Sequence, residues 1–156
     1  MPRMPMANAW IQVSGPMAVI PATILRTLVD VQPLVQTALS RYLYSLSAQC
    51  LQTVACNRLH NLEQRCCRWL LMLADCLGSD DVPLTQDALA TILDSGRSRI
   101  NALLASLEQE RLLQRSRGRI RLASRVRLQQ KSCECYRLSQ RDAGAGLLPR
   151  FTSNVA

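Results

Sequence analysis

Seven cysteines, one histidine and nineteen basic residues are the chemically expressive part of this 156-residue chain. The cysteines fall as Cys50 and Cys56, the adjacent Cys66 and Cys67, an isolated Cys76, and Cys133 and Cys135 around one glutamate. Neither "CC" nor "CEC" has the C-x₂₋₄-C spacing of a zinc ribbon or finger. An odd count argues against a closed disulfide framework. The opening "MPRMPMANAWIQVSG" lacks the apolar run of a secretory signal, so a cytoplasmic chain with reduced thiols is expected. The cysteines therefore read as small buried or half-buried helix residues. A redox, metal-sensing or iron–sulfur role is the alternative. His60 has no suitable partner nearby in sequence and reads as structural. No metal and no cofactor are expected. No nucleophile, base and orienter occur together, so no catalysis is expected either.

The basic residues carry more information because they are unevenly placed. Residues 1–94 hold six Arg against seven acids, a net −1. Residues 95–131 hold nine Arg and one Lys against Glu108 and Glu110, a net +8. Residues 132–156 hold three Arg against two acids, a net +1. One segment thus carries the whole excess, which is the footprint of a polyanion binder. A purely solubilising face would use Lys and Glu equally well. Arginine in this excess favours bidentate contacts to phosphate or guanine.

The elements that must present this charge are mostly helical. Apolar residues make up 48% of the chain and aromatics 4%, which favours a Leu/Ala helical core over a β-sandwich. The longest apolar run, "WLLMLA", is too short to span a bilayer. "WIQVSGPMAVIP" reads as strand, turn and short strand, and "PATILRTLVDV" as a short helix ending before Pro33. From Leu34 to His60 there is no Gly or Pro. Leu39, Leu43, Leu46, Cys50, Val54 and Asn57 recur along it at helical spacing, one stripe of a helix about 40 Å long. A narrow stripe on a long helix suits pairing with a second copy. "NLEQRCCRWLLMLADCL" is a second helix, with Leu62, Cys66, Trp69, Leu70 and Leu73 on one face and Gly78 as its C′ residue. "GSDDVP" reads as a linker. Thr85 is an N-cap with Asp87 in the first turn that follows. Ala88, Leu89, Ile92 and Leu93 face inward before a break at Asp94-Ser95-Gly96. Ile100, Leu103, Leu104 and Leu107 are the buried stripe of the next helix. Its other face holds Ser98, Asn101, Ala102 and Ala105, with Arg97 and Arg99 near its start. That face is lean enough to enter a groove, and its first turn is cationic. "LLQRSRGRIRLA" then alternates around a turn at Arg117-Gly118, a basic two-stranded hairpin. Two helices across a tight turn followed by such a hairpin make a winged helix.

These residues resemble the C-terminal part of the Crp/Fnr family of bacterial transcription regulators, from about Pro33 to Arg137. The resemblance rests on "NRLHNLEQRCCRWLLML", "LTQDALATIL", "RGRI" and "CECYR" taken together. It implies a dimerisation helix and a winged helix-turn-helix, preceded by the last strands of an effector-binding β-roll. It also implies that nearly all of the effector pocket is missing, so no cyclic nucleotide is held in the family's usual way. A truncated member, or a start lying upstream, is expected. The family's recognition helix begins Arg-Glu-x-x-x-Arg, and the matching residues are Arg97 to Ala102. Arg97 keeps the guanine-contacting arginine. Ser98 and Ala102 replace the other two readers, and Asp94 stands where the family has a turn glycine. The family's iron–sulfur cysteines belong to the missing domain, so that role does not pass to Cys133 and Cys135.

The expected fold is mainly α: a long dimerisation helix followed by a winged helix-turn-helix with a small β-hairpin wing. Residues 1–33 are a β-roll remnant and short helix, 34–77 the dimerisation helix and the helix after it, 78–127 the winged unit, and 128–156 a C-terminal tail. The expected base readers are Arg97, Ser98 and Asn101. The expected phosphate contacts are Thr85, Arg99, Arg115, Arg117 and Arg119. The expected dimer seam is Leu39, Leu43, Leu46, Cys50 and Val54. The expected partners are double-stranded DNA and a second copy of the chain, with no membrane. The alternative is an interaction protein that pairs with full-length relatives through residues 34–60 and modulates them.

Overall fold

The computed structural model describes residue 11 and residues 17–144, with side chains described to residue 140. Most of the expected strand and turn over residues 10–16 lies outside the described residues. Met17–Ile20, expected as a second strand, forms no regular element. Helix α1 (Ala22–Val31) follows, and Gln32 separates it from α2 (Pro33–Leu59). Pro33 sits in the first turn of α2, where its missing N–H costs nothing.

Helix α3 (Leu62–Leu77) begins with a reciprocal cap. Asn61 Oδ1 accepts from the Gln64 N–H at 2.9 Å, and the Asn61 N–H donates to Gln64 Oε1 at 3.1 Å. It ends where Gly78 takes φ 62°, freeing the Gly78 and Ser79 N–H groups to close onto Ala74 and Asp75 carbonyls. Cys66, Cys67, Leu70, Leu71 and Ala74 are fully buried, so α3 is the central rod of the core rather than a helix with one wet face.

Strand β1 (Asp81–Val82) comes next, in the segment expected to be a linker. It pairs antiparallel with β3 (Arg119–Leu122), Asp81 opposite Arg121 and Val82 opposite Ile120. β3 in turn pairs with β2 (Leu113–Ser116), giving the order β1-β3-β2. A two-stranded hairpin alone is marginal. The third strand and burial of Val82, Leu113, Ile120 and Leu122 anchor it. A single apolar residue in "GSDDVP", Val82, was too little to signal a strand before its partner was known. Gly118 takes φ 72° at the hairpin turn, a conformation that favours glycine.

Helices α4 (Gln86–Ile92) and α5 (Arg97–Gln109) flank the tight turn. Asp94 adopts φ 47° there, so the aspartate supplies the left-handed corner that the resemblance assigns to a glycine. Gly96 has an ordinary φ of −65° and open space around a Cβ, so the turn does not depend on it.

The expected tail is also more ordered than its composition suggests. Helix α6 (Arg125–Lys131) and helix α7 (Cys135–Gly144) pack on α3. Leu128 and Tyr136 are buried in the core, and the Tyr136 hydroxyl donates to Asp75 Oδ2 at 2.9 Å. No periodic pattern in the sequence announces this docking.

Candidate nucleic-acid interface

Ile100, Leu104 and Leu107 of α5 are fully buried, with Leu103 partly so. They clamp α5 onto α4 and the sheet. Arg97, Ser98, Arg99, Asn101 and Ala102 consequently stand exposed along the first half of the helix. No acidic residue lies on that half. Arg97 Nε pairs with Asp87 Oδ1 at 2.8 Å, reaching back to the first turn of α4. Asp94, the neighbour in sequence, is not its partner. Both side chains are largely exposed, at 74% and 58%, so the pair orients the guanidinium at little energetic gain.

The wing is tied to α5 by one carboxylate. Glu108 accepts from the Arg115 backbone N–H at 2.9 Å and from Arg115 Nε at 2.8 Å. The backbone hydrogen bond first, and the guanidinium second, hold the Glu108 carboxyl below its ordinary pKa. Arg115 is thus half-buried in a latch as well as close to the wing tip. Arg119 Nη1 reaches Asp81 Oδ2 at 3.0 Å, joining β3 to β1. Among the described residues Arg99, Arg117 and Arg121 form no ion pair, and all three are exposed. Thr85 Oγ1 accepts from the Ala88 N–H at 3.1 Å, the expected cap. A cleft of about 280 Å³ opens between Thr85, Gln86 and Asp87 on one side and Arg115 to Arg119 on the other. Four expected contact residues therefore line the cleft, Thr85 at the helices and Arg115, Arg117 and Arg119 on the wing, and Arg97 adjoins it through its ion pair with Asp87.

Residues 64–131 match the family model of the Crp-like helix-turn-helix domain. The chain also resembles the solved structure of a protein from Eubacterium rectale assigned to the crp/fnr family of transcriptional regulators. The TM-score is 0.57 at 22% identity, over 72% of this chain and 52% of that one. A CRP-family transcriptional regulator from Thermus thermophilus is similar at TM-score 0.48 and 19% identity, over 72% of this chain and 55% of that one. The chain thus spans about half the length of either solved structure. No curated protein matches it at a significant level. The match over residues 64–131 and the likeness of fold are what this chain shares with Crp/Fnr-type proteins. No helix among the described residues is long and apolar enough to cross a membrane.

The long helix α2 presents two faces. Ser45, Ala48, Gln49, Gln52 and Cys56 are buried or half-buried against the same chain. Leu43, Leu46, Cys50 and Val54 lie roughly opposite, all exposed, with Leu39 half-buried at the end of their stripe. The expected seam residues are therefore one coherent apolar face that the described residues leave largely uncovered.

Spacing along the sequence missed one grouping. Cys56, His60, Cys133 and Cys135 bring their ligating atoms within 4.8 Å of one another. The only local hint was the i, i+4 relation of Cys56 and His60 at the end of α2, which puts both on one helix face. His60, read as structural for lack of a sequence neighbour, has its partners 74 and 75 residues away in Glu134 and Cys135.

Proposed function

We propose that this chain is a DNA-binding transcription regulator that inserts α5 into the major groove as a dimer. Arg97, Ser98 and Asn101 read base edges. Arg99, Arg117 and Arg119 contact phosphates, with Thr85 and Arg115 lining the cleft beside them. One observation carries this reading. The exposed half of α5 bears two arginines, small polar residues and no carboxylate, beside a cationic wing tip. A solvated helix face normally mixes both signs of charge. The Crp-like helix-turn-helix match supports it independently.

The exposed α2 stripe supports pairing with a second copy. Leu43 is 52% exposed, Leu46 42% and Val54 68%, a costly apolar face unless it is covered. Pairing would set two recognition helices on half-sites about one helical turn apart.

The test is selection of bound DNA from a random pool, followed by a salt titration on the selected site. With roughly three to five phosphate contacts per subunit, log K against log salt should slope at about −5 to −9 for the dimer. A slope near zero refutes the DNA reading. Leu43→Glu should yield monomers by sedimentation and weaken binding through lost bivalency. A monomeric unsubstituted protein at micromolar concentration refutes the seam.

A further inference from the structure

We propose that Cys56, His60, Cys133 and Cys135 form a tetrahedral zinc site that pins the start of α7 to the end of α2.

The geometry supplies the first argument. The four ligating atoms lie within 4.8 Å of one another, Cys56 Sγ is 3.6 Å from Cys133 Sγ, and Cys135 Sγ is 3.6 Å from His60 Nδ1. Zinc bonds thiolate at about 2.3 Å and imidazole at about 2.0–2.1 Å, so a tetrahedron around it has S···S and S···N edges of roughly 3.6–3.8 Å. Both measured edges fall at or near that range. A multi-iron cluster spreads its ligands over several metal atoms and needs a wider pocket. Three thiolates and an imidazole are a common donor set of closed structural zinc sites.

The surroundings supply the second. His60 turns Nδ1 toward the sulfurs while its Nε2 lies 3.2 Å from Glu134 Oε1. A carboxylate on the far ring nitrogen fixes the ring and its tautomer, as metal-bound histidines require. Gln52 Nε2 donates to Cys135 Sγ at 2.9 Å, an N–H to sulfur contact that suits a thiolate. Arg68 is 1% exposed, lies beside the Cys56 thiol, and forms no ion pair among the described residues. A buried guanidinium needs an anionic neighbour. Zinc with three thiolates carries a net charge of −1 and provides one.

The third argument is economy of use. Cys66 and Cys67 sit inside the apolar core and Cys50 and Cys76 are exposed, so packing or solvent accounts for them. Cys56, Cys133 and Cys135 form a small buried cluster of their own, separate from the main core.

The experiment is metal analysis of the full chain purified under reducing conditions, followed by cobalt substitution. We expect one zinc per chain that survives dialysis. Cobalt should give visible tetrahedral bands and near-ultraviolet thiolate charge transfer, both displaced by zinc. Cys133→Ser and His60→Ala should lose stoichiometric metal, whereas Cys76→Ser should keep it. His60→Cys preserves four donors and should bind cobalt with stronger thiolate charge transfer, which separates ligation from simple folding. Absence of zinc uptake by protein with native circular dichroism overturns the proposal. So does a Cys56–Cys133 disulfide in place of metal, or several irons per chain. DNA affinity plays no part in these readouts, so the site can fail while the DNA reading stands.

Discussion

On α6, Arg125 reaches Asp75 and Asp80, and Lys131 reaches Glu63 at 2.6 Å and Glu110 at 2.9 Å. At the start of α5 and the wing tip, Arg99 and Arg117 meet no carboxylate among the described residues, and Arg97 meets only the exposed Asp87. All of these cations belong to the same +8 segment. A charge count treats them alike, but their work differs. A cation already facing two carboxylates has little left to offer a phosphate. One standing alone in water releases counterions in full when DNA binds. The α6 cations hold α3, the turn after it and the end of α5 together, whereas Arg99 and Arg117 meet no carboxylate among the described residues.

The largest test of that division is Arg125→Ala. It leaves Asp75 and Asp80 without their cation, and hydrogen bonds to charged groups contribute about 1.5–3 kcal/mol each. A stability loss of about 2–3 kcal/mol is expected from denaturant midpoints, with DNA affinity per folded molecule little changed. Equal loss of affinity and no loss of stability would reverse the assignment.

Arg97→Ala should do the opposite. It should cost about 1–3 kcal/mol on the selected site and relax preference at one base pair per half-site. Its ion pair with Asp87 is exposed, so stability should fall by no more than about 1 kcal/mol. A uniform loss on all single-base variants of the site would show that Arg97 clamps rather than reads.

Arg117→Ala should weaken every sequence about equally and reduce the salt slope by about one per subunit. Arg119 is the less clean probe, because its removal also frees Asp81 to repel a phosphate.

The smallest effect is the wing latch. The Glu108 carboxyl is held below its ordinary pKa when folded, so the folded protein favours the charged form. That stabilisation is present above the unfolded carboxylate pKa and is lost as pH falls through the lower folded value. Amide exchange in β2 should therefore rise on acidification below the ordinary carboxylate range, and Glu108→Gln should flatten that response.

Much of this division was legible in residue order. The Asn61–Gln64 cap, Gly78, the break at Asp94 and the wing turn at Gly118 are local devices, and their signals lie within a few residues. The buried stripe of α5 and its exposed face follow from helical spacing alone. The pairing of Arg97 with Asp87, ten residues earlier, was not legible, because it depends on the turn folding α4 back beside the start of α5.

Sequence by itself determined helices α1 to α5, where they stop, and that the basic excess gathers at one helix and one hairpin. Those outcomes depend on dihedral preference, capping and amphipathic period, all of which act over one or two turns. Tertiary structure decided what each charged or sulfur-bearing residue meets. β1 exists because β3 offers it a partner 38 to 40 residues away. Arg125 is spent on the fold because α6 lies across the end of α3. Cys56 and His60 meet Cys133 and Cys135 because burying Tyr136 against α3 swings the start of α7 onto the end of α2. Contacts over such distances are set by how apolar surfaces pack, and packing responds to the whole core rather than to any stretch of it.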